Sequence, residues 1–244
     1  MNSGKEIIQF TKGLLENASK IDDIIDNALE PIKDYTDTIG DLVLPIKALV
    51  AISNLRKKLT LKSFIKNYAN KLSSYEITKE ETTKLEKFFK EKKNIQFVAE
   101  IIDNAINAKS LKSSAILGSI AGNIIKDKKE ISFELLSIIE SLRVMTDIDL
   151  VNFILLYEYL PIIGTSHDDT DEYRTRDFYA EDNVNKIKLE KVSLDSTIEK
   201  LKRTDGLTYS EGGIGQAGNS KGAFEINNVS KELYMLIKMT KIVE

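Results

Sequence analysis

Apolar side chains return at every third or fourth position through most of the first 160 residues, and that period admits little besides packed helices. Ile7, Ile8, Phe10, Leu14 and Leu15 open the pattern, and Ile21, Ile24, Ile25 and Leu29 continue it. Pro31 fits the first turn of a further helix, and Pro45 interrupts or starts another. Leu61, Phe64, Ile65, Tyr68 and Leu72 form one row across residues 54–72. Thr78 to Glu81 has capping-box spacing ahead of a charged helix whose inner side carries Leu85, Phe88 and Phe89. The pattern predicts further helices from Ile95 to Ala108 and over 111–125. Two strongly apolar helices follow at Ser132–Val144 and Asp147–Leu160, with Thr146 as the N-cap between them.

No apolar run reaches the ~20 residues that a spanning helix needs. Residues 39–55 are broken by Asp41, Pro45 and Lys47, and the apolar run 113–125 is too short. The segment after Met1 is acidic and helix-like, so no signal peptide is expected, and a cytoplasmic location is. The chain of 244 residues has no cysteine, which excludes disulfides, thiol catalysis and Cys-ligated zinc. Its net charge of −3 gives no global attraction to nucleic acid or anionic lipid. Charge is distributed unevenly: residues 1–53 carry nine acids and five bases, whereas 54–72 carry six bases and no acid.

After Pro161 the character changes. Residues 164–182, GTSHDDTDEYRTRDFYAED, are net −5 and almost free of aliphatic side chains, which predicts a long surface loop. Val184, Ile187, Leu189 and Val192 suggest a short extended piece, and a helix is expected from about Asp195 to Thr204. Beyond it, Gly213, Gly215 and Gly218 spell a literal G-x-G-x-x-G. A dinucleotide fingerprint needs a helix opening on those glycines. Here Gly222-Ala223-Phe224-Glu225-Ile226 alternates like a second strand instead. The expected structure is a hairpin of LTYS (207–210) and AFEI (223–226) around a glycine-rich tip, because six of the twelve glycines lie in 206–222.

The helix STIEKLKRTDG leads into this hairpin, and the helix VSKELYMLIK, capped by Asn227 or Asn228, leads out. Helix, hairpin, helix resembles the second half of a winged-helix domain. Ile198 and Leu201 would be its inward positions and Gly206-Leu207 its turn, with the helices at 132–144 and 147–160 supplying the first half. The segment AKSLKSSAILGSIAGNIIKDKKEISFELLSIIESL looks like small helical domains common in uncharacterised bacterial and prophage proteins. That resemblance implies an accessory, phage-defence role.

The winged-helix resemblance also implies candidate contacts. Such a domain reads DNA with its third helix and its wing, which here would use Lys186, Lys188, Lys191, Lys200, Lys202, Arg203 and Lys221. A solvated lysine-rich face or a protein-binding surface are the competing readings. Lys58, Lys62 and Lys66 stand at i, i+4 spacing beside an apolar face, which suits a membrane surface or a packed helix with snorkelling lysines. Ser114, Gly118 and Gly122 form a small-residue stripe that lets another helix approach closely. His167, Asp168, Asp169, Asp171 and Glu172 offer hard-cation oxygens, but at no known loop spacing, so a solvated acidic loop is expected. No nucleophile elbow or phosphate loop is present, and the lone His167 stands in that loop.

The expected fold is mainly α: a helical region over 1–129, then a winged-helix-like domain over 130–244 with one small β-hairpin and the insert 164–182. The expected function is a non-enzymatic binding or adaptor protein without cofactor or metal, engaging a protein partner or a second copy. A membrane-acting helical effector built on 39–72 and 111–125, and a DNA-binding regulator, are the alternatives.

Overall fold

The computed structural model describes Thr11, Gly13 and residues 54–73, 79–127, 131–163, 172–174, 191–211 and 222–241. These residues are mainly helical, and the chain divides into two compact units, Met1–Glu130 and Ile131–Glu244.

Unit 1 contains helices α1 (Leu55–Ser73), α2 (Lys79–Lys90), α3 (Lys92–Asn107) and α4 (Leu111–Asp127). The row read from the sequence is its core: Leu61, Phe64, Ile65, Tyr68 and Leu72 are all buried. Each such side chain contributes about 1.5–3 kcal/mol by leaving water. α4 is buried continuously from Ser113 to Gly122, as its small and aliphatic composition requires. Its stripe faces α1 at backbone range. A Cβ added at Gly118 would overlap the Phe64 carbonyl oxygen, and one at Gly122 would lie 2.5 Å from Lys71 Cβ. Ser114 completes the stripe by donating its hydroxyl to Thr60 O at 2.7 Å. Thr60 in turn reaches Ile106 O at 3.1 Å, which ties the end of α3 to the same crossing. Tyr68, fully buried, shares a 3.0 Å hydrogen bond with Thr11, and burial pushes its phenol far above the ordinary range. Thr78, the expected cap of α2, and residues 14–53 lie outside the described residues.

Unit 2 contains α5 (Phe133–Val144), α6 (Asp147–Ile163), α7 (Lys191–Arg203) and α8 (Asn228–Thr240). Ser132 caps α5 by accepting from Leu135 N at 3.2 Å. Thr146 caps α6 reciprocally: its hydroxyl accepts from Asp149 N at 3.3 Å, and Asp149 accepts from Thr146 N at 2.7 Å. Unit 2 departs from the sequence reading in several places. α6 continues past Leu160 to Ile163, with Pro161 in its last turn. α7 begins at Lys191, inside the stretch read as extended, because Leu194, Thr197, Ile198 and Leu201 bury one helical face that starts there. Glu172–Arg174, inside the presumed acidic loop, form strand β1.

Strand β2 (Thr208–Glu211) and strand β3 (Gly222–Glu225) pair antiparallel, with Tyr209 opposite Phe224. β1 joins the other edge of β3, Tyr173 again opposite Phe224, which gives the order β1-β3-β2. The turn between α7 and β2 has a specific cause. Asp205 adopts a left-handed φ of 56°, and Gly206 N reaches back to Leu201 O at 2.8 Å, the closing bond of a Schellman cap. A Cβ at Gly206 would sit 2.8 Å from Leu201 Cδ2. Asn227 then caps α8 in a box with Ser230 and also donates to Asp205 O at 2.8 Å, so one residue fixes both the cap and the turn.

Candidate functional site

The fate of the lysines on α7 decides what that helix can contact. Asp149, at the first turn of α6, is buried, and its two oxygens collect four donors. Oδ2 accepts from Thr146 N, from Thr146 Oγ1 at 2.6 Å and from Lys200 Nζ at 2.6 Å; Oδ1 accepts from Thr197 Oγ1 at 2.8 Å. Asn152 continues the row, donating to Ser193 Oγ at 2.7 Å and Thr197 Oγ1 at 3.0 Å. Burial alone would push the Asp149 carboxyl upward. The Lys200 ammonium, helped by Thr146 and Thr197, outweighs it and holds the group below its ordinary value. Lys200 is therefore a structural cross-link between α6 and α7, with a quarter of its side chain exposed.

Among the other cations predicted to contact nucleic acid, Lys202 pairs with Glu199 at 2.9 Å, and Arg203 is exposed. Lys191 is the first residue of α7. Lys186, Lys188 and Lys221 lie outside the described residues, as do His167, Asp168, Asp169, Asp171, Gly213, Gly215 and Gly218. With Lys200 neutralised by Asp149, helix α7 is left with Lys191, Lys202 and Arg203 against Asp195 and Glu199, a surplus of one positive charge. Its outward side carries Val192, Ser196, Glu199 and Arg203. Among the described residues, no group of three His, Asp or Glu side chains is placed to hold a metal ion.

In unit 1 the lysine row is placed as its spacing predicts, with Lys58 and Lys62 half-buried and Lys66 exposed. The apolar row beside it is at most 3% exposed. A lipid surface cannot reach that row, because it forms the core with α4 in the folded unit. Among the described residues, no helix is long and apolar enough to cross a membrane.

Two features of unit 2 escaped the sequence reading. First, Tyr157 on α6 stacks on Tyr234 of α8, with centroids 4.1 Å apart and planes 13° apart. The Tyr234 hydroxyl donates to Glu158 Oε1 at 2.7 Å, and Lys238 Nζ approaches the same oxygen at 2.7 Å. Lys238 and then Tyr234 hold the Glu158 carboxyl low, while burial and Glu158 push the Tyr234 phenol up. Second, α6 is apolar on two sides. Leu150, Phe153 and Leu156 are buried, yet Ile148 and Val151 are 64% and 41% exposed. Met235 and Met239 are exposed on α8. The available signal was the run DIDLVNFILL, whose apolar residues fill more of the helix circumference than a one-sided helix needs. Comparison of the chain with family models, with curated proteins and with solved structures returns no match.

Proposed function

We propose that the chain is a non-enzymatic binding or adaptor protein, in which a winged-helix-like C-terminal unit engages a protein partner. The order α5, α6, α7, paired strands, α8 supports the winged-helix reading. So do the inward positions of Ile198 and Leu201 and the turn at Gly206-Leu207, all of them buried. An accessory role in a bacterium or prophage is the setting implied by the resemblance of the middle segment.

The observation that carries protein binding is the second apolar face of α6. Exposed Ile148 and Val151 stand at i, i+3 on a helix whose opposite side is already packed. Exposed Met235 and Met239, beside the half-buried stack of Tyr157 on Tyr234, suit a protein interface, because they offer large, adaptable apolar area. The near-neutral α7 weighs against phosphate binding as the main activity, since nucleic-acid affinity grows with the number of cations that displace counterions.

The test is affinity capture with the full chain, compared with an Ile148→Glu/Val151→Glu variant. Both positions are exposed, so the variant should melt like the wild type while losing the captured partner. A partner retained undiminished by the variant would sink the reading. DNA retention that weakens with salt and disappears in Lys202→Glu/Arg203→Glu would replace it with the regulator reading.

A further inference from the structure

We infer that unit 1 carries a docking site for an anionic lipid surface at the end where α1 begins and α3 passes into α4. Three hydrogen bonds bring these segments together. Arg56 Nη2 donates to Ala108 O at 3.2 Å, Thr60 Oγ1 to Ile106 O at 3.1 Å, and Ser63 Oγ to Leu111 O at 2.9 Å. The first three turns of α1 thus clasp the junction 106–111. Three leucines of this end remain in solvent: Leu55 at 68%, Leu59 at 38% and Leu111 at 43% exposure. Around them stand exposed Lys57 and Lys109 and half-buried Lys58 and Lys112. The charge is one-sided over both strands of chain that meet there: 54–75 holds six bases and no acid, and 104–126 holds three bases and no acid. Asp103 of α3 is the nearest acid in sequence, and it is bonded to Asn107 Nδ2 at 3.2 Å.

Leucines ringed by lysines match a surface that is apolar at depth and anionic at its rim. A lipid interface has that arrangement, and each lysine near it adds attraction to anionic headgroups. An acidic helix would need a continuous apolar stripe at i, i+3, i+4 and i+7 to grip. Leu55 and Leu111 are instead the first residues of two different helices, and only Leu55 and Leu59 share one. Separate apolar points suit lipid better than a helical partner. This site shares only Lys58 with the row Lys58, Lys62 and Lys66, whose apolar flank is core. It is also independent of the protein-binding surface proposed for unit 2.

The experiment is co-sedimentation of the full chain with vesicles of phosphatidylcholine, with and without about one-fifth phosphatidylglycerol, at low and high salt. The wild type should pellet with the anionic vesicles, stay in solution with the neutral ones, and be released by salt. Leu55→Ser/Leu59→Ser/Leu111→Ser should weaken anionic binding at least tenfold, and Lys57→Glu/Lys58→Glu/Lys109→Glu/Lys112→Glu should abolish it. Lys87→Glu/Lys90→Glu on α2, both exposed, should leave it unchanged. Melting curves confirm that each variant is folded; were the triple variant unfolded, single Leu55→Ser at the most exposed site should still weaken binding severalfold. Three results would overturn the assignment: no pelleting of the wild type at low salt, equal pelleting with neutral vesicles, or binding indifferent to the leucines. Capture of an acidic amphipathic peptide by a chain that ignores vesicles would overturn it too, in favour of a helical partner.

Discussion

Where α4 crosses α1, the contact is closest at Gly118, and no side chain intervenes between the glycine and the Phe64 carbonyl. Where α7 meets α6, the contact is Lys200 on Asp149, with Thr197 and Asn152 beside it. Unit 1 joins its helices by omitting a Cβ and burying aliphatic and aromatic groups. Unit 2 uses a buried charge with every oxygen occupied. The first kind of joint tolerates no added volume, because packed interiors transmit an overlap to the backbone. The second tolerates no lost partner, because an unpaired buried charge costs more than the pair contributes. The two units should therefore fail under different substitutions.

Gly118→Leu tests the first joint and should have the largest effect. The overlap is with backbone, which cannot swing aside, so a loss of about 3 kcal/mol or more is expected. Thermal melts of wild type and variant decide it. A raised melting temperature would mean that the stripe faces solvent, since leucine is the better helix former. The second joint is tested by Asp149→Ala, which strands Lys200 and removes the N3 half of the α6 cap, for a loss of about 2–3 kcal/mol. Its pH dependence has a definite sign. The folded carboxyl is held low, so the stabilisation is present above the unfolded value near 3.9 and is lost as pH falls through the folded value. Acid titration of stability should lose part of its slope in Asp149→Asn, and an unchanged slope would remove Asp149 from the account. A smaller effect is expected at the α7–β2 turn and the α8 cap it adjoins. Asn227→Ala should cost about 1 kcal/mol, since the residue caps α8 and anchors Asp205 O. The smallest change belongs to Tyr234→Phe. It keeps the stack on Tyr157 but loses a largely exposed bond to Glu158, so about 0.5 kcal/mol or less is expected, read from the shift of a denaturant midpoint.

The helices were legible because their cause is local. A 3.6-residue period, Thr146 as a cap, and Asn227 ahead of α8 are properties of neighbouring residues. The start of α7 was not legible, because Lys191 and Val192 join a helix whose inward face is fixed by contact with α6. β1 was not legible either. Its three residues pair through backbone groups that every residue carries, and its neighbours in the sequence are polar. The candidate site was less legible than the fold. Six lysines and arginines over 183–204 look alike in sequence. That Lys200 turns inward depends on an aspartate more than forty residues earlier. Tyr157 and Tyr234 are as far apart, and nothing local marks them as partners.

By itself, then, the sequence determined the helical periods, the caps, the acid-free basic stretch of α1 and the small-residue stripe of α4, since each is written in spacing and composition. Only the tertiary structure decided that the stripe lies on Phe64 and Tyr68, that the lysine row flanks a core, that Lys200 turns inward to Asp149, and that Ile148, Val151 and three leucines stay outside. The reason is physical. Amphipathic period says that a helix has a side to bury, but burial is a pairing of surfaces, and the second surface comes from residues distant in the chain.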